Sequence, residues 1–290
     1  MFSGSIPALV TPFTAGKVDE AAFRDFIDWQ IEEGSSGLVP CGTTGEVATL
    51  TPEEHARAVS ICVEQARGRV PVIAGCGSYS TSASMEKMKV AEDAGATAAL
   101  VVVPYYNKPS QAGIAAHFRA LADASDLPII VYNVPGRTVA DISVETLAEV
   151  ARLSTVVGIK DATGNLARVT AQRLACGEAF CQLSGNDDMA LGFNAMGGVG
   201  CISVTANVAP RLCAEFQRAT LERDWDRAME LQDRLFALHT AMFADASPGP
   251  AKYALGKVRP GFPQELRLPL TEPSESARQA VDAALEVAGL

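Results

Sequence analysis

Lys160, Tyr132, Arg137 and the segment Gly42-Thr-Thr-Gly-Glu46 are the residues whose types and positions suggest joint chemistry. Lysine is scarce, seven against seventeen arginines, and six of the seven fall in stretches that predict loops or helices, where a solvated amine is expected. Lys160 instead closes the apolar run Val156-Val-Gly-Ile159, so its stem is expected to emerge from a packed core. Desolvation disfavours an ammonium ion, and a neutral amine adds to ketones and aldehydes to form a Schiff base. The alternative for the same position is an ion pair with Asp161 or another carboxylate. Tyr132, near the end of the preceding run, would bring a phenol close to Lys160, where it could move protons as a carbinolamine forms and dehydrates. A core tyrosine with a satisfied hydroxyl is its other reading. Arg137 follows the turn-forming Pro135-Gly136 and offers a fixed fork for a substrate carboxylate, or else a surface ion pair. Gly42–Glu46 offers backbone N–H groups beside the Thr43 and Thr44 hydroxyls, a cradle for a small carboxylate. It lacks the GK[ST] ending of a P-loop. Gly197-Gly-Val-Gly200 resembles a phosphate grip only loosely, with close backbone packing as the competing explanation.

These residues need a frame that brings them together. Eight short apolar runs, each followed by a turn and a stretch with helical periodicity, supply one. They are Ile6–Val10, Gly37–Cys41, Val70–Ala74, Ala98–Val103, Ile129–Asn133, Val156–Lys160, Gln182–Ser184 and Val199–Val204. Continuous rather than alternating apolarity predicts parallel strands buried on both faces. Helix starts are legible at Thr51-Pro-Glu-Glu54, a capping box with proline at the first helical position, and at Ser110 and Ser143. Strand and helix repeated eight times predicts an α/β fold, a (β/α)8 TIM barrel over residues 1–205, with an open doubly wound sheet as the alternative. After Val204 the pattern is helical: Pro210–Leu221, Trp225–Ala244, Pro250–Lys257 and Ser274–Val287, a C-terminal helical extension over 206–290. On a barrel, chemistry sits where strands end and βα loops begin, and that is where Lys160, Tyr132, Arg137 and the threonines fall.

Composition narrows the class. The chain has 290 residues, 48% apolar and 20% charged, which predicts a globular protein with an ample core. Its formal charge of −10 repels phosphate backbones and anionic membranes, so no nucleic-acid or membrane partner is expected. The opening MFSGSIPALVTPF has no signal-peptide character, and the longest apolar stretch, Ala98–Val103, is far short of the roughly 18 to 20 residues that cross a bilayer. Seven cysteines without CxxC spacing and three scattered histidines predict reduced thiols in a cytoplasm and no metal site.

The segments GSIPALVTPF, GTTGE, PYYNKPSQ, YNVPGRT, IKDATGN, LSGND and ISVTAN, spread over essentially the whole chain, resemble the dihydrodipicolinate synthase and N-acetylneuraminate lyase family of pyruvate-dependent class I aldolases. GTTGE and YNVPGRT together resemble the synthase branch. The resemblance implies condensation of pyruvate with L-aspartate 4-semialdehyde in lysine and diaminopimelate biosynthesis, without a metal or organic cofactor. It implies that Lys160 forms the imine and that Tyr132, Thr43 and Tyr106 relay protons, Tyr106 from a neighbouring subunit. It further implies that Thr44 grips the pyruvate carboxylate, that Arg137 anchors the second substrate, and that Gly185 and Ile202 line the pocket. A homotetramer made of two tight dimers is the implied assembly.

One departure from the family pattern concerns feedback. Where lysine-inhibited members carry an asparagine and a glutamate, this chain holds Tyr79 and Ala83, and Pro52 replaces a histidine, although His55 and Tyr105 match the rest of that effector site. Inhibition by lysine is expected to be weak or absent. Two other functions fit the same residues: a class I aldolase acting on a 2-keto-3-deoxy sugar acid or hydroxyoxoglutarate, and a noncatalytic keto-acid-binding regulator.

Overall fold

A computed structural model describes residues 2–290. The chain opens with strand β1 (Gly4–Pro7) and a small antiparallel hairpin, β2 (Phe13–Thr14) and β3 (Lys17–Val18), which the apolar pattern did not announce. Helix α1 (Glu20–Glu32) follows, then α2 (Pro52–Ala66), β4 (Ile73–Gly75), α3 (Thr81–Asp93), β5 (Ala98–Val102) and α4 (Gln111–Ala124). Next come β6 (Ile129–Asn133), the single turn α5 (Pro135–Thr138), α6 (Val144–Val150), β7 (Val156–Asp161), α7 (Ala167–Cys176), β8 (Cys181–Ser184), α8 (Ala190–Ala195) and β9 (Gly200–Ser203). Helices α9 (Pro210–Glu222), α10 (Trp225–Ala241), α11 (Gly249–Val258) and α12 (Glu275–Ala288) complete the chain.

Seven strands pair in parallel in the order β1-β9-β8-β7-β6-β5-β4. The second apolar run, expected as a full strand, contributes isolated bridges only, Ala8 to Val39 and Leu38 to Val72. Those bridges nevertheless join β1 to β4: Val39 N–H donates to Pro7 O at 3.0 Å, and Ile73 N–H donates to Leu38 O at 2.8 Å. The curled sheet with its bridging segment is a TIM barrel. The run is short because Pro40 has no N–H to give a ladder and Cys41 leaves the extended region at φ +56°.

Inward-pointing Ile6, Val39, Ile73, Leu100, Ile130, Leu183 and Ile202 fill the barrel, while a second apolar cluster fills the layer between strands and helices. Helix α9 packs on β1 and β9, and α10 packs on α9 and α12. The capping box forms as read, with Glu54 N–H donating to the Thr51 hydroxyl at 3.2 Å and Thr51 N–H donating to the Glu54 carboxylate at 3.0 Å. The Ser110 and Ser143 hydroxyls cap α4 and α6 by accepting from the N–H groups of Gly113 and Thr146, without the reciprocal half of the box.

All three histidines are buried in this frame. His55 contacts Gly75 O, His117 contacts the Thr81 hydroxyl and His239 the Thr205 hydroxyl, at 2.8 to 2.9 Å. Burial pushes all three below the ordinary histidine range, His117 to about 4. Between pH 6.5 and 4 an unfolded chain therefore takes up a proton that folded His117 refuses. Its contribution is complete above pH 6.5 and declines as pH falls toward 4, by at most about 3 kcal/mol. Urea titrations at pH 7.5 and 5 are expected to show this loss in the parent protein and a smaller loss in His117→Asn. Equal losses in the two proteins would refute the assignment.

Candidate active site

β6 and β7 set the heart of the site. Their parallel register places Tyr132 beside Lys160 and Lys160 beside Leu183 of β8. Alternation along β7 sends Lys160 inward and Asp161 outward, so the two neighbours do opposite things. The Asp161 carboxylate accepts from the Thr163 hydroxyl at 2.6 Å, Gln172 Nε2 at 2.6 Å and Arg168 Nε at 3.2 Å. Lys160 is only 6% exposed, yet no carboxylate lies within ion-pair distance of its amine among the described residues. The ion-pair alternative for Lys160 is thereby excluded. Its Nζ instead sits 4.3 Å from the centre of the Tyr132 ring.

Gly185, just beyond β8, makes room for the lysine stem. A β-carbon there would lie 3.1 Å from Lys160 Cε and 2.6 Å from the β-carbon of Ala162. Ile202 is fully buried within the barrel, in the apolar cluster that also holds Tyr132 and Leu183. The glycine run before β9 serves packing, since a side chain at Gly200 would collide with the backbone of Gly4.

Above the strand ends lies a cavity of about 200 Å³, lined by Thr43, Gly77, Val102, Tyr105, Val134, Arg137 and Thr138 among others. All of these residues lie at or just beyond the C-terminal ends of strands, the face of a barrel that carries chemistry. Val134 joins this cavity to the interior, because it packs in the same cluster as Tyr132. The Arg137 side chain is exposed, forms no ion pair among the described residues, and rides on α5. That turn is fastened by the Thr138 hydroxyl, which donates to Val134 O at 3.1 Å and Ala140 O at 2.7 Å. Beyond it, Asn133 Nδ2 donates to Asp141 at 2.8 Å, and Arg168 Nη2 donates to Ile142 O at 2.8 Å. Asp161 thus holds, through Arg168, the loop that carries Arg137.

In the Gly42–Glu46 loop, the N–H groups of Gly45 and Glu46 are satisfied inside the loop, by Gly42 O and Thr43 O at 3.1 Å. The N–H and hydroxyl groups of Thr43 and Thr44 have no hydrogen-bond partner among the described residues, which leaves a ready set of donors for an anion. Tyr106 stands apart. It is 87% exposed, takes φ +67°, and forms no hydrogen bond with its own chain, so the described residues do not bring it to Lys160. Cys41 and Cys76 are buried, and burial pushes the Cys41 thiol up to about 12 and the Cys76 thiol higher still. Neither is a reactive thiolate. In the former effector region, Tyr79 packs edge-on against Tyr105 with ring centres 5.5 Å apart.

One expectation needs correction. Lys252, counted above among the solvated lysines, is fully buried and pairs with Glu46 at 2.6 Å. A signal was present in Pro250-Ala-Lys-Tyr-Ala-Leu255, where Lys252 falls in an otherwise apolar stretch of the helix. Burial pushes its ammonium below the usual lysine range, and the charge of Glu46 pulls it back. Asp187 is another buried carboxylate whose task was not legible. It accepts from the Ser203 hydroxyl and from Val204 N–H at 2.9 Å, tying the turn after β8 to the end of β9.

Comparison with known proteins places this geometry. A family model described as the dihydrodipicolinate synthetase family matches residues 1–288. The 4-hydroxy-tetrahydrodipicolinate synthase of Rhizorhabdus wittichii is 67% identical over 290 residues, covering all of both chains, and that of Zymomonas mobilis is 62% identical over the same span. Among solved structures, the chloride-inhibited dihydrodipicolinate synthase from Acinetobacter baumannii complexed with pyruvate superposes with a TM-score of 0.96 at 40% identity, covering 100% of this chain and 99% of that one. A barrel with a buried lysine that has no carboxylate partner at the end of β7, matched over its whole length at this identity, belongs to the dihydrodipicolinate synthetase family.

Proposed function

We infer that this chain catalyses the 4-hydroxy-tetrahydrodipicolinate synthase reaction of lysine and diaminopimelate biosynthesis, condensing pyruvate with L-aspartate 4-semialdehyde through a Schiff base at Lys160. The observation that carries the assignment of Lys160 is its burial without a carboxylate partner, over the ring of Tyr132, which packs in one cluster with Val134 of the cavity wall. The Lys160 amine adds to the pyruvate ketone, and the carbinolamine loses water to give an iminium ion. Loss of a methyl proton then gives an enamine, with the iminium as electron sink. The enamine carbon attacks the semialdehyde carbonyl, and the amino group of the adduct displaces Lys160 by transimination. Ring closure frees 4-hydroxy-tetrahydrodipicolinate and regenerates the amine.

Tyr132 is suited to carry protons on and off the oxygen of the carbinolamine, with Thr43 continuing the relay at the mouth. The unsatisfied donors of Thr43 and Thr44 support a grip on the pyruvate carboxylate. The unpaired guanidinium of Arg137, on the same cavity, suits the carboxylate of the semialdehyde. Gly185 and Ile202 shape the floor around the lysine stem. Tyr106 completes the relay from a second subunit in this proposal, which its 87% exposure supports, and we extend it to a homotetramer in the cytoplasm. An aldolase for keto-deoxy acids would use the same lysine. The identities above 60% to named synthases favour the condensation.

Borohydride reduction in the presence of pyruvate is expected to add a three-carbon mass to the peptide holding Lys160, and Lys160→Ala to abolish both adduct and turnover with the fold intact. A fully active variant would overturn the mechanism. Tyr132→Phe should still form the imine while losing about 10²- to 10⁴-fold in kcat, the usual size of a proton-transfer contribution. An unchanged kcat would reduce Tyr132 to packing. L-Lysine is expected to inhibit weakly or not at all, because Tyr79 and Ala83 offer its ammonium no carboxylate; half-inhibition at submillimolar concentration would contradict this.

A further inference from the structure

We propose that Glu46 is a positioning residue for the pyruvate subsite, and that its buried ion pair with Lys252 makes the C-terminal segment 249–267 the buttress of the Gly42–Glu46 loop. This rests on the function proposed above and extends it to residues outside the cavity. Glu46 stands two residues after Thr44, so any shift of its carboxylate is transmitted through two peptide units to Thr44 and three to Thr43.

Three observations support the assignment. First, both partners are completely buried, and their 2.6 Å contact bridges the loop after the second apolar run and helix α11, two segments more than two hundred residues apart. A buried ion pair is a poor way to gain stability, because apolar residues of similar volume do as well or better; its distinctive property is that it fixes one arrangement. Second, the carboxylate is held from both sides of the connector that follows α11. Lys252 Nζ also donates to Glu265 O at 2.7 Å, and Arg267 N–H donates to the other Glu46 oxygen at 3.1 Å. The Arg267 guanidinium then grips Glu54 at 2.5 Å, Thr49 O at 3.1 Å and Gly16 O at 2.7 Å, so the whole stretch from Glu46 to Glu54 is pinned to the connector. Third, the Glu46 backbone is held at φ +56°, a left-handed conformation that a non-glycine residue keeps only where its surroundings enforce it. The Thr11 hydroxyl, donating to Gly45 O at 2.8 Å, fixes the loop from the β1 side.

The test uses the full-length enzyme and pyruvate itself as probe. The variant pair Glu46→Gln with Lys252→Met removes both charges together, so that neither is stranded in the core. Arg267→Gln loosens the same clamp from its more exposed end, and Arg267→Lys is the conservative control. In the double variant and in Arg267→Gln, the pyruvate concentration that gives half-maximal borohydride trapping at Lys160 is expected to rise about tenfold or more, with complete trapping at saturation. KM for aspartate semialdehyde should change less than about twofold, and Arg267→Lys should recover most of the loss. An unchanged half-trapping concentration in Arg267→Gln, with or without a lower melting temperature, would overturn the proposal and leave the pair a stability element. Absence of trapping in the parent protein would instead overturn the Schiff-base function.

Discussion

The structure turns on an amine that is buried and yet has no counterion. A carboxylate beside Lys160 would hold its proton and occupy its lone pair, and a fully open position would hydrate it. The barrel avoids both by alternation along one strand. β7 turns Lys160 into the interior and Asp161 out to the helix layer, where Thr163, Gln172 and Arg168 take up the negative charge. What remains near the amine is the face of Tyr132, an attractive but weak partner that leaves the nitrogen free to react. Gly185 is part of the same solution, because the space a side chain would occupy is filled by the lysine stem.

The outward half of that alternation is as consequential as the inward half. Through Arg168, Asp161 reaches the carbonyl of Ile142, and Asn133 at the end of β6 reaches Asp141, so two adjacent strand ends fasten the loop after α5. Arg137 therefore stands on a braced turn although its own side chain is free. Two neighbouring residues of one strand serve the two substrates of the proposed reaction, one by bonding and one by bracing.

Much of this was legible in the sequence, and the gaps have physical causes. Lys160 was legible because an apolar run ending in lysine has few structural explanations, and Tyr132 because β6 must lie beside β7 in a barrel. The capping box at Thr51 was legible because it is purely local. Lys252 was misread for the complementary reason. Its partner Glu46 lies more than two hundred residues away, and no window along the chain brings the two charges together. Asp187 and Arg168 were passed over on the same ground, since their work is done by hydrogen bonds to backbone atoms of distant segments. The second apolar run misled in another way: hydrophobic pattern reports burial, but Pro40 and the left-handed Cys41 decide how much of a buried run can join a ladder.

The contrast between the two buried lysines also bears on how an acidic protein receives an anionic substrate. With a formal charge of −10 the chain as a whole repels pyruvate. At physiological ionic strength, however, fields fade over about 8 Å, so the groups immediately around the cavity decide the potential there. The loop that offers its free donors to a carboxylate carries a carboxylate of its own only two residues away. Were Glu46 unpaired, it would oppose the substrate at close range and in a poorly screened environment. Lys252 and the Arg267 N–H cancel it from behind, inside the protein, while the loop keeps free the N–H and hydroxyl groups of the buried Thr44 and of Thr43, which shares the cavity with the unpaired guanidinium of Arg137. The same ion pair that fixes where the loop stands thus determines the sign of the field that it presents, and a lysine made unreactive by its partner leaves Lys160 as the amine that meets the ketone.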